Sequence, residues 1–140
     1  MTEIEASITH QFIRVCKAHR QLTEHALQQL GLHVGQEQTL FQLWEADGLT
    51  QSQLAQAACV DMSTMSKMME RMESAGWLQR RQDPEDARIS RVFLTEQGRA
   101  LREPVAHLWS TLEARLVQGL TASEQMLLRR LLIQMAANLA

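Results

Sequence analysis

Residues 49–91 read LTQSQLAQAACVDMSTMSKMMERMESAGWLQRRQDPEDARISR. Thr50 stands where an N-cap hydroxyl is needed. Gln53, three residues on, can return a hydrogen bond to the cap's own N–H, and Leu49 and Leu54 form a hydrophobic staple around it. The helix this starts, residues 51–57, is only two turns long. After Cys59 the signals repeat, with Asp61 as the next N-cap and Val60 and Met65 as its staple pair. The second helix, residues 62–75, stops at Gly76, which enters the left-handed conformation without steric cost.

The second helix has two unlike faces. Met65, Met68, Met69 and Met72 recur at helical spacing as one apolar stripe. Ser63, Thr64, Ser66, Lys67, Glu70 and Arg71 take the rest of the surface. Two short helices with a tight turn, the second showing hydroxyls and cations, fit a helix-turn-helix that reads DNA. Small hydroxyls approach phosphates and base edges closely, and Lys or Arg adds charge. An ordinary helical hairpin with a solvated face has the same pattern, so the helices alone do not decide. The next residues do. Two short strands, residues 77–81 and 92–95, enclose a turn opened by Asp83-Pro84 and continued by Asp86-Ala87-Arg88-Ile89-Ser90-Arg91. A charged hairpin directly after a recognition-type helix is a wing.

These residues resemble the MarR family of winged helix-turn-helix transcription regulators. The resemblance rests on Asp86-x-Arg88 with Arg91 in the wing, on Glu70-Arg71-Met72 followed by Ala75-Gly76-Trp77-Leu78, and on Leu94-Thr95-Glu96-x-Gly98. It spans nearly the whole chain. It implies a mainly α fold with a small β-wing, a winged helix-turn-helix flanked by N- and C-terminal dimerisation helices. It implies a homodimer on double-stranded DNA at a pseudo-palindromic site, acting as a repressor. It also implies a small anionic aromatic effector in a cleft between the DNA-binding and dimer regions, to which Phe12, His19 and Trp44 would contribute.

Working outward, residues 3–30 read as one long helix with Ile8, Phe12, Val15, Leu22 and Ala26 near one stripe, ended at Leu30-Gly31. About 28 helical residues span roughly 42 Å, more than a small winged helix covers. Residues 36–46 form a second helix with Leu40, Leu43 and Trp44 inward. After the wing, Thr95 caps a helix carrying Leu101, Val105, Leu108, Leu112 and Leu116. Pro104 inside it lacks an N–H and is expected to bend or break it. Thr121-Ala122-Ser123-Glu124 is a capping box opening the last helix, whose Met126, Leu127, Leu128, Leu131, Leu132, Met135 and Leu139 exceed what one neighbour buries. The chain therefore reads as one domain, residues 1–140. Residues 31–97 form the DNA-binding region, and residues 1–30 and 98–140 the dimerisation helices, with a second copy as their partner.

Composition narrows the alternatives. With 140 residues, 45% hydrophobic and only 4% aromatic, the core must be aliphatic and methionine-rich. No apolar run is long enough to span a membrane, and the acidic, polar N-terminus is not a secretory signal. Cys16 and Cys59 suggest no disulfide scaffold, which makes a reducing cytoplasm the expected location. The net charge of −2 is a poor guide to nucleic-acid binding. Lys67, Arg71, Arg80, Arg81, Arg88 and Arg91 all fall in the helix and wing, and local charge is what phosphates meet.

No cofactor and no metal is expected. Glu24, His33 and His107 are loosely suited to zinc, which some members of the family bind, but they match no ligand pattern. Peroxide-sensing members place a reactive cysteine near the start of the first helix, supported by tyrosines. This chain has no Tyr, and Cys16 sits late in that helix. Cys59 reads as a small buried hydrophobe, and the methionines as core filler rather than oxidation sensors. With no GxSxG, Gly-rich phosphate loop or carboxylate pair, the chain does not read as an enzyme.

The expected division of labour at DNA follows from position. Thr64 and Lys67 would enter the major groove, with Ser63, Ser66 and Arg71 beside them. Gln51 and Ser52 would meet a phosphate through backbone N–H groups at their helix's start. Arg88 would enter the minor groove, Arg91 would add charge, and Asp86 would orient one of these arginines. A winged-helix module for protein interaction is the rival reading, but it would show apolar residues where this chain has Arg88 and the Ser/Thr/Lys face.

Overall fold

The structure is a computed structural model and describes residues 1–140. Seven helices and one hairpin follow in the order α1 (Ile8–Gln28), α2 (Gln36–Glu45), α3 (Gln51–Ala58), α4 (Met62–Ser74), β1 (Leu78–Gln82), β2 (Ser90–Leu94), α5 (Glu96–Ala100), α6 (Arg102–Leu116) and α7 (Ala122–Leu139). The fold is mainly α with a small β-wing, as the caps and the hairpin signals require. β1 and β2 pair antiparallel, with Leu78 opposite Leu94 and Gln82 opposite Ser90.

Local capping sets most boundaries. At α3, Thr50 Oγ1 accepts the Gln53 N–H at 3.1 Å and Gln53 Oε1 accepts the Thr50 N–H at 2.9 Å. Thr121 and Glu124 repeat this box at α7. Asp61 accepts the Thr64 N–H at 2.7 Å, which holds its carboxyl below the usual carboxylate range. The expected interruption near Pro104 is a break at Leu101 between α5 and α6. Pro104 then lies in the first turn of α6, where a missing N–H costs nothing.

α1 is shorter than the sequence suggests. Ser7 Oγ accepts the His10 N–H at 3.1 Å and starts the helix there. Ahead of it, Thr2 and Glu5 close a separate reciprocal turn, Thr2 N–H to Glu5 Oε2 at 2.7 Å and Glu5 N–H to Thr2 Oγ1 at 3.2 Å. That small box intercepts the helix that periodicity alone would extend to residue 3.

The chain divides into two compact units, residues 1–108 and 109–140. In the first, Leu27, Leu40, Leu43, Leu54, Met65, Met69, Met72, Leu78, Val92 and Val105 are all at most 2% exposed. The stripe on α4 is thus the hub of the core. Each buried methionine contributes on the order of 2 kcal/mol from area removed from water. Met68, at the stripe's edge, is half-buried. Cys59 departs from expectation. It is exposed, not a buried hydrophobe, because it caps α3 in the left-handed conformation at φ 54, outside the packed surfaces of α3 and α4.

In the second unit α7 has no buried residue. Met126, Leu127 and Ile133 are 70%, 50% and 65% exposed, and Leu131 and Leu132 are each 41% exposed. Ile8, Phe12, Ile13 and Val15 on α1 are likewise exposed. No helix is long and apolar enough to cross a membrane.

Candidate nucleic-acid interface

Three elements carry the residues expected at DNA. On α4 the burial of Met65, Met69 and Met72 turns Ser63, Thr64, Lys67, Glu70 and Arg71 outward, all exposed. Thr64, Lys67 and Arg71 line one shallow cavity of about 260 Å³ with His33 and Gln36. Ser66 is set back, half-buried, and takes a 3.4 Å contact from Arg80 Nη1. At the start of α3 the Gln51 side chain is buried and Ser52 is exposed. The first N–H groups of a helix have no partner within it, so those of Gln51 and Ser52 remain available to an anion. A groove of about 450 Å³ brings Gln51, Ser52 and Met62 together with Arg88 and Ile89. Residues 36 positions apart in sequence thus share one wall.

The wing tip is rigidly built. Asp83 Oδ1 accepts the N–H groups of Glu85 at 2.8 Å and Asp86 at 3.2 Å. Asp86 then takes Arg88 in a fork, Nε to Oδ1 and Nη2 to Oδ2, each at 3.0 Å. The Arg88 side chain holds the Asp86 carboxyl below the usual carboxylate range. Since Arg88 is 90% exposed, this pair adds little stability. Its effect is orientation: the guanidinium is gripped on one edge and leaves the other open to solvent.

The other cations differ in kind. Arg80 donates its N–H and Nη2 to Glu73 at 2.9 and 3.2 Å, tying β1 to α4. Arg81 lies over the Phe93 ring at 4.7 Å. The Arg91 side chain donates through Nε to Asp83 and through Nη1 to the Gly48 carbonyl at 3.0 Å. Asp83, Asp47 and Glu73, absent from the sequence-based set, are the acids that organise these arginines and strand ends. Asp47 accepts the Leu94 N–H at 2.9 Å and pairs with Arg99 at 3.1 Å. Asp47-Gly48 and Asp83-Pro84 are turn signals that do not name the acids' partners, and Glu73, within α4, carries no signal of its role.

Phe12, His19 and Trp44 are not equivalent. Phe12 is exposed on α1 and His19 is half-buried. Trp44 donates its indole N–H to the Gly98 carbonyl at 3.0 Å. It lines a cavity of about 410 Å³ with Phe41, Glu45, Arg102 and Ala106, and neither Phe12 nor His19 is part of that lining. Nowhere do three or more His, Cys, Asp or Glu side chains gather in a metal-binding group.

Comparison with known proteins identifies the arrangement. The model of the MarR family matches residues 32–90. The HTH-type transcriptional regulator YdgJ of Bacillus subtilis, itself uncharacterised, is 30% identical over 109 residues, 78% of this chain and 66% of that protein. The HTH-type transcriptional repressor Mb2911 of Mycobacterium bovis is 28% identical over 134 residues, 96% of each chain. Among solved structures, the S. aureus MepR–DNA complex superposes with a TM-score of 0.85 at 25% identity, covering 94% of this chain and 98% of that one. The chain spans 66%, 42% and 58% of the first three curated relatives it matches. Fold, wing and matched sequence agree: the chain belongs to the MarR family of winged helix-turn-helix transcription regulators.

Proposed function

We propose that this protein is a cytoplasmic, homodimeric repressor that binds a pseudo-palindromic site on double-stranded DNA and is released by a small anionic aromatic effector. The observation that carries the DNA reading is the shared wall of Gln51, Ser52 and Arg88 beside the outward Thr64–Lys67–Arg71 face. Ser63, Thr64, Lys67 and Arg71 read or flank the major groove, with Ser66 set behind them. The backbone N–H groups of Gln51 and Ser52 hold a phosphate. Arg88, oriented by Asp86, enters the minor groove. The full-length likeness to a repressor, and the likeness to a protein solved with DNA, support the same roles. Two copies joined through α1 and α7 would set their α4 helices at successive major grooves, about 34 Å apart.

Fluorescence anisotropy on cognate and scrambled duplexes over a salt series tests this. Arg88→Ala should weaken binding to all sequences and lower the salt slope by about one unit. Lys67→Ala should cost roughly 1–3 kcal/mol on the cognate site and blur preference at one half-site position. Parent-like binding by Arg88→Ala would remove the wing from the interface.

For the effector, Trp44 supplies an aromatic wall and Arg102, 3.6 Å from Glu45, a cation for a carboxylate. Phe12 and His19 would border the ligand only in the dimer. A ligand favouring one spacing of the two α4 helices shifts the population away from the DNA-binding shape. Trp44 emission should respond saturably to benzoate-like acids, and the same acids should weaken the DNA complex. No response across a panel of phenolic acids would leave a constitutive repressor.

A further inference from the structure

Six cations cluster in α4 and the wing, yet they do not face alike. The side chain of Arg88 is 90% exposed, whereas that of Arg91 is 38% exposed and its Asp83 partner only 10% exposed. We propose that Arg91 is a positioning residue for DNA binding, which fastens the wing to the start of α3 and makes no phosphate contact of its own. The inference rests on the DNA-binding reading above and assigns a separate role within that interface.

The geometry is a continuous series of hydrogen bonds. Arg88 is gripped by Asp86, and the Asp86 N–H is held by Asp83 Oδ1. Asp83 Oδ2 takes Arg91 Nε, and Arg91 Nη1 reaches the Gly48 carbonyl, 43 residues away in sequence. Gly48 lies two residues before Thr50, the cap of α3. Around this clamp the backbones are laced together: Val92 N–H to the Leu49 carbonyl at 2.8 Å, Gly48 N–H to the Val92 carbonyl at 3.0 Å, and a bridge between Thr50 and Arg91. The minor-groove group and the phosphate-binding helix start are thereby set at one fixed separation. A guanidinium suits the task because its donors diverge, satisfying a carboxylate and a carbonyl at once. The Arg91 side chain, and after it the Glu85 N–H, hold the Asp83 carboxyl below the usual carboxylate range against the opposing effect of burial, so the clamp keeps its charge.

The two roles predict opposite signs for one substitution. Asp83→Asn keeps an oxygen for the Glu85 and Asp86 N–H groups and removes the charge beside Arg91. If Arg91 touched phosphate, freeing it from a carboxylate would tighten DNA binding. As a positioning residue it loses its anchor, and binding should weaken roughly tenfold at every salt concentration. Arg91→Gln should weaken binding similarly with an unchanged salt slope, unlike Arg88→Ala. In the free protein both variants should exchange the Gly48 and Val92 amide hydrogens faster than the parent, a readout independent of DNA. Tighter binding by Asp83→Asn, a slope lowered by about one unit in Arg91→Gln, or parent-like exchange at Gly48 and Val92 would each overturn the proposal. Failure of the unsubstituted protein to bind any duplex would instead overturn the DNA reading itself, so the two failures are distinguishable.

Discussion

Replacing Gly98 by alanine is expected to lower stability by roughly 3 kcal/mol or more and the thermal midpoint by on the order of 10 °C. Gly98 is buried in α5 with its bare α-carbon against the end of the wing. A β-carbon there would fall on the carbonyl oxygen of Trp77, 3.0 Å from its carbon and 3.1 Å from Leu94 Cδ2. Neither side can retreat. The Trp77 carbonyl accepts the Thr95 N–H at 3.1 Å, and the next residue, Leu78, is paired with Leu94 in the hairpin. From the other side, the Gly98 N–H is held by Thr95 Oγ1 at 3.1 Å, and its carbonyl accepts the Trp44 indole at 3.0 Å. Gly119→Ala is the control. It sits at φ +85 with nothing within 4 Å of a β-carbon, so it should cost only about 1–2 kcal/mol, from its left-handed backbone. Thermal unfolding followed by circular dichroism compares the two. A Gly98→Ala midpoint no lower than that of Gly119→Ala would mean that the backbone yields and the glycine is not there for close approach.

Placing Glu at both Leu131 and Leu132 should convert the proposed dimer to monomer and weaken binding to a two-half-site duplex by a factor on the order of 10²–10⁴. Both side chains are 41% exposed, on a helix with no buried residue. Two carboxylates on a face meant to close against a second copy would be desolvated without partners, which association cannot offset. Sedimentation at low micromolar concentration should show about twice 16.0 kDa for the parent and 16.0 kDa for the variant. Because the substituted residues lie outside the core of residues 1–108, the helix-turn-helix should stay folded, and binding to a single half-site should change little. A parent that sediments as a folded monomer would sink the dimer proposal outright.

Much of this fold is legible in the sequence. Thr50, Asp61, Thr95 and Thr121 each cap a helix because the hydroxyl or carboxylate reaches an N–H three residues on, an interaction contained within four residues. The methionine stripe of α4 was legible because burial follows a helical period, and Met65, Met69 and Met72 are fully buried. The hairpin followed from Asp83-Pro84 between two short strand patterns, and its register then aligned Leu78 with Leu94. Where periodicity competed with a local turn, it misled: the Thr2–Glu5 box and the Ser7 cap start α1 at Ile8.

Sequence by itself determined the elements, their caps, the buried face of α4 and the cations held out on the wing, since each depends on neighbours within about one helical turn or one hairpin. Tertiary structure decided which charges pair. Asp83, rather than Asp86, holds Arg91, and the Gly48 carbonyl completes the clamp from 43 residues away. Glu73 and Ser66 hold Arg80, Cys59 is left outside the core, and the Trp44 indole finds the Gly98 carbonyl 54 residues on. Every acid near the wing carries the same charge. Only the register of β1 on β2 and the docking of residues 47–50 against β2 place one carboxylate, and not another, within hydrogen-bond reach.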